Sequence, residues 1–103
     1  MVGGTTVLYR AVSQAEARQL HATGRFEAGP SSLGGKWFAE TPEHARLWGD
    51  ILNGVGRSTI IEVELPASRA VKLMRIARLD GIGPARYAEL DDLAGAVIRE
   101  HKP

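Results

Sequence analysis

A chain of 103 residues, 44% hydrophobic and 24% charged, is sized for one small globular domain with a single core, residues 1–103. Its formal net charge of +1 sets up no field that by itself selects nucleic acid or a membrane surface. The absence of cysteine rules out disulfides and thiolate metal sites, and no apolar run approaches the roughly 20 residues of a membrane span.

Residues 1–4, Met-Val-Gly-Gly, lack the charged and apolar regions of a signal peptide and read as a flexible leader to a domain cut from a longer chain. Thr5 to Val12 is rich in β-branched and aromatic side chains and reads as a first strand near the sheet centre. Ser13, with Glu16 three positions on, is a capping-box pattern opening a helix that Gly24 stops. Arg25 to Gly35 is a loop rich in glycine, serine and proline, long enough for a functional role. Lys36 to Glu40 is a short aromatic strand. Thr41 is an N-cap, Pro42 suits the first helical position and Glu43 complements the helix dipole. Trp48 falls about two turns into that helix, eleven positions after Trp37.

Asn53 to Arg57 is a second glycine-rich break, and Ser58 to Leu65 alternates so that Glu62 and Glu64 share one face until Pro66 ends the strand. Ala70 to Ile76 reads as another strand, with Lys72, Arg75 and Arg78 on its wet side. Asp80 to Pro84 is a turn, Arg86 to Leu90 a short strand, and Asp91 or Asp92 caps a last helix carrying Leu93, Ala96 and Val97. Strands in series with helices between the early ones make the fold class α+β.

Several of these residues admit two readings. Trp37 and Trp48 either pack a helix on a sheet or face each other across a cleft, and Gly34, Gly35 and Gly49 beside them let a ligand approach the backbone. Arg10, inside an apolar strand, either pairs with Glu62 or Glu64 or offers a fork to phosphate or ribose oxygens. Glu62, Glu64 and Glu89 are the candidate chemical carboxylates. His21, His44 and His101 share no metal-ligand spacing and read as surface residues, so no metal is expected.

Gly35-Lys-Trp-Phe-Ala-Glu-Thr41, running into a helix with Trp48, resembles the Gly-x-Tyr-Phe-Ala-Glu/Asp stretch of the diphtheria-toxin and poly(ADP-ribose) polymerase group of ADP-ribosyltransferases. Leu8-Tyr-Arg-Ala11 is similar to that family's first-strand motif, and the compact size resembles small toxin domains at the ends of bacterial polymorphic toxins. The resemblance implies a compact split antiparallel β-sheet core with two or three short helices. It implies NAD as substrate, held by Tyr9, Arg10, Ala11, Gly35, Trp37, Phe38, Thr41 and Trp48, with the two indoles sandwiching the nicotinamide. Arg10, Trp37 and Glu89 become the catalytic residues. One departure stands out: Arg86 precedes Tyr87 where the family carries glutamate, so that either a bulge re-aims Glu89, or Glu62 or Glu64 takes the carboxylate role, or the transfer proceeds without one.

The implied activity is transfer of ADP-ribose to a macromolecule, elongation factor Tu or RNA, by a secreted effector acting in the cytoplasm of a target bacterium and restrained by an immunity protein. Rival expectations are an NAD glycohydrolase, a ribonuclease using His44, Lys36 and a glutamate, and a non-catalytic binding domain.

Overall fold

The structure, a computed structural model, describes residues 4–27 and 35–102. Gly34, residues 28–33 of the long loop and most of the leader lie outside that range. Gly4 is described, and its carbonyl accepts from the Ala67 N–H.

Strands β1 (Thr5–Val12), β2 (Gly35–Ala39), β3 (Thr59–Pro66), β4 (Met74–Leu79), β5 (Gly83–Glu89) and β6 (Val97–Glu100) form one antiparallel sheet in the order β4-β5-β2-β1-β3-β6. Helices α1 (Gln14–Thr23), α2 (Pro42–Asn53) and the single turn α3 (Ala67–Ala70) complete the α+β domain, with a 3-10 turn at Leu90–Leu93. Among the described residues, no helix is long and apolar enough to cross a membrane.

Local chemistry accounts for the early elements. The Ser13 hydroxyl accepts from the Glu16 N–H and the Thr41 hydroxyl from the His44 N–H, each satisfying a free donor of the first helical turn. Gly24, at φ 73°, supplies the left-handed residue that ends α1.

Alternation along β1 divides the apolar side chains between two faces. Leu8 and Val12 join Phe38, Val63, Leu65, Leu20 and Phe26 in the larger core. Tyr9 and Ala11 face the other way, where Ala39, Ile60 and Ala45 pack under α2. The hydrophobic effect therefore closes both sides of β1, which is why it sits between β2 and β3.

Two segments differ from the sequence expectation. Ala70 ends α3, and the strand expected from it begins only at Met74. One helical turn is too short to carry a periodic signal. The expected last helix is a 3-10 turn capped by Glu89, followed by β6. Leu93, Ala96 and Val97 have helical spacing, but Gly95 at φ 78° interrupts it, and the free edge of β3 takes Val97 to Glu100 as a strand. Arg99 then donates to both Glu62 and Glu64.

The opposite edge is tied by Glu40, which accepts from Arg75 at 2.8 and 3.2 Å and from Arg86 at 3.0 Å. Hydrogen bonds from Arg75, outweighing the desolvation that opposes them, and then from Arg86 hold the Glu40 carboxyl below its ordinary 4.5. A lowered folded value means that the pair stabilises the fold above about pH 4.5 and loses that contribution as the pH falls through the folded value. Urea midpoints measured from pH 7 to pH 3 should therefore fall less steeply on the acid side in Glu40→Gln than in the wild type. Identical acid limbs would show that the pair contributes nothing.

Candidate functional site: a one-ring slot between the central strands

β1 pairs with β3 over eight positions and β2 with β5 over five, yet β1 and β2 meet at Tyr9 and Ala39 alone. Beyond that point the two strands part. Arg10 spans the gap, its Nη1 donating to the Trp37 carbonyl at 3.1 Å. Its Nε and Nη2 donate to the two Glu16 oxygens at 2.8 and 3.1 Å. The fork geometry and partial burial of both side chains make this a firm tie.

The sequence expectation of a salt bridge from Arg10 to Glu62 or Glu64 is therefore corrected. Arg10 lies opposite Ile61, whereas Glu62 and Glu64 lie opposite Tyr9 and Val7. Directly opposed residues share a face, so those glutamates project from the other side of the sheet. Of the five guanidinium N–H groups, three are committed and two have no partner among the described residues.

On the α2 face the parting opens a cavity of about 150 Å³. A void of about that size takes one benzene-sized ring. Trp37 and Trp48, both half-buried, line it together with Tyr9, Ala11 and Ala45, and Leu52, Leu79 and Asp80 complete the rim. The nearest ring to Trp37 is Tyr87, with centroids 5.0 Å apart and planes at 58°. On the far side, the Trp48 indole donates from Nε1 to Asp80 Oδ2 at 3.2 Å. Each indole thus has a contact that fixes its position.

The remaining sequence-derived candidates are placed as follows. Phe38 borders the cavity, but its ring is buried on the opposite face, edge-to-face with Phe26 at 5.6 Å, which leaves its main chain to the wall. Thr41 caps α2. At Gly35 and Gly49 the space a side chain would take is filled by this chain. A side chain at Gly35 would strike the Tyr87 ring and the Ala88 carbonyl. At Gly49 a Cβ would lie 2.6 Å from Ser58 Oγ and 2.7 Å from Ala11 Cβ, so glycine lets α2 lie flush on the sheet.

Glu89 pairs with Gly35 in an unbroken β2–β5 register and so shares the Trp37 and Tyr87 face without any bulge. Glu89, however, sits at the start of the 3-10 turn with its N–H donating to Asp92 Oδ2 at 3.0 Å, and it does not line the cavity. Arg86 points to the opposite face and is committed to Glu40 and to the Ala70 and Leu73 carbonyls. Glu62 and Glu64 are also engaged. The hydrogen bond from His101, then those from Arg99, lower the Glu62 carboxyl, and those from Thr5 and Arg99 lower Glu64.

Two of the three histidines depart from the surface reading. His101 is half-buried, with Nδ1 on Glu62 at 2.5 Å and its ring edge-on to Tyr9 at 5.6 Å. The His44 ring is wedged against Gly83, with Nδ1 buried and unpartnered among the described residues. Sequence reasoning missed Asp80, although Asp80-Gly81 is a standard turn signal; nothing local announces that the turn closes over Trp48.

We find no significant match to the chain among protein-family models, curated proteins or solved structures.

Proposed function

We propose that the chain is an ADP-ribosyltransferase-type domain that takes NAD by its nicotinamide ring and passes ADP-ribose to a macromolecular acceptor. The observation that carries this reading is a one-ring cavity walled by Trp37 and Trp48 at the point where β1 and β2 part. That parting also fits the split antiparallel sheet that the resemblance implies.

The chemistry asks little of the protein. Aromatic faces attract a pyridinium through their quadrupoles and hold it by stacking. Cleavage of the bond from the ribose carbon to the ring nitrogen sends the electron pair to nicotinamide, which leaves neutral. The sugar carbon, briefly cationic, takes the acceptor nucleophile, and the acceptor loses a proton. Arg10 acts here by keeping the Trp37 carbonyl, and hence the parted strands, in position. Its two uncommitted N–H groups remain for ribose or phosphate oxygens.

The second reading, NAD glycohydrolysis, differs only in the acceptor being water. A ribonuclease built on His44 and Lys36 draws no support. The His44 ring packs on Gly83, and Lys36 projects from the sheet face opposite Trp37.

The test is incubation of the chain with NAD labelled in its adenylate part and a bacterial lysate. Nicotinamide should be released, with label bound to protein such as elongation factor Tu, or to RNA. Free labelled ADP-ribose alone selects the glycohydrolase reading, and intact NAD overturns both.

A further inference from the structure

We infer that Asp80 is the counter-ion of the slot, the group that makes it select a positively charged ring over a neutral one of the same shape. The inference rests on the nicotinamide reading and adds to it a residue with a specificity role.

The derivation starts in the turn. Asp80 and Gly81 have φ of 56° and 74°, and the Ile82 N–H closes the turn on the Leu79 carbonyl at 3.0 Å. Aspartate followed by glycine is among the few pairs that adopt such a backbone without strain. The turn leaves Asp80 exposed at the cavity rim with Oδ2 on the Trp48 indole. An indole N–H orients a carboxylate but brings no positive charge.

Four other carboxylates of the domain differ in this respect. Glu16 is matched by Arg10, Glu40 by Arg75 and Arg86, and Glu62 and Glu64 by Arg99. Arg10, the cation that borders the cavity, is itself neutralised by Glu16. Among the described residues, the charge left facing the slot is therefore that of Asp80. It is added to the negative faces of Tyr9, Trp37 and Trp48, and both terms favour a cation.

The probes are 1-methylnicotinamide, which carries the pyridinium charge, and nicotinamide, which does not. Whole NAD is unsuitable because its diphosphate also responds to a charge change. Tryptophan fluorescence is titrated with each probe at low ionic strength in wild type and Asp80→Asn. Asparagine tolerates the same left-handed backbone and keeps an acceptor oxygen for Trp48, so the turn survives while the charge is lost.

Wild type should bind the cation about tenfold more tightly than neutral nicotinamide, from a charge pair that is partly exposed and screened by salt. Asp80→Asn should bring that preference to within about twofold, leaving the affinity for neutral nicotinamide unchanged. A preference that survives in Asp80→Asn, or is absent from wild type, overturns the assignment. If Trp37→Ala then weakens binding of both probes, the slot stands and only the role of Asp80 falls. If wild type binds neither probe and leaves NAD intact, the assignment and the nicotinamide reading fall together.

Discussion

Replacing Phe38 with alanine should cost about 3–5 kcal/mol of folding stability, the usual range for emptying a buried aromatic site. Phe38 is 1% exposed and meets Phe26 edge-to-face at 86°. It packs in the larger core with Leu8 of β1 and Val63 of β3, both almost fully buried. Those strands cannot collapse into the space without breaking their ladder, so the void persists. In a domain of this size the melting temperature should drop by roughly 15–25 °C. Thermal unfolding followed by circular dichroism checks this, and a fall of only a few degrees would remove Phe38 from the core.

The adjacent residue should behave in the opposite way. Trp37 lies on the other face of β2, half-buried, with one side against Tyr87 and another on the cavity. Trp37→Ala should cost only about 1–2 kcal/mol of stability, because much of the ring is already in contact with water. Loss of stacking and cation–π attraction of about 2 kcal/mol weakens binding of a pyridinium about 30-fold. Titration of NAD or 1-methylnicotinamide, beside a melting curve of the same variant, separates the two effects. A folded Trp37→Ala with unchanged affinity would reduce that indole to packing alone. Global unfolding would say the same. Two neighbours in one strand thus divide stability and recognition between them, since successive side chains leave a strand on opposite faces.

The same alternation explains why Glu62 and Glu64 are available to Arg10 in the sequence but not in the fold. Any carboxylate on an adjacent strand satisfies the general rule that a half-buried guanidinium needs a counter-charge. Only the register, Arg10 opposite Ile61, sends it to the side where Glu16 rises from the first turn of α1. Glu16 lies in the first turn of α1, as its place after Ser13 in the sequence predicts. Its side chain is free for Arg10 because the Ser13 hydroxyl alone caps the helix.

What the chain by itself determined was whatever is closed within a few residues. Ser13 and Thr41 start helices through their hydroxyls, and Gly24 stops one through its backbone, each within four residues. The alternation from Thr59 to Leu65 marks a strand in any context, and Asp80-Gly81 marks a turn. Only the tertiary structure decided which of these meet. The strand order brings the turn at Asp80 over Trp48, 32 positions away in sequence. The free edge of β3 draws Val97 to Glu100 out of a helical pattern. The single ladder pair between β1 and β2 leaves a ring-sized gap where a continued ladder would have closed it. Each of these depends on pairing energies between distant segments, and local propensity carries no record of them.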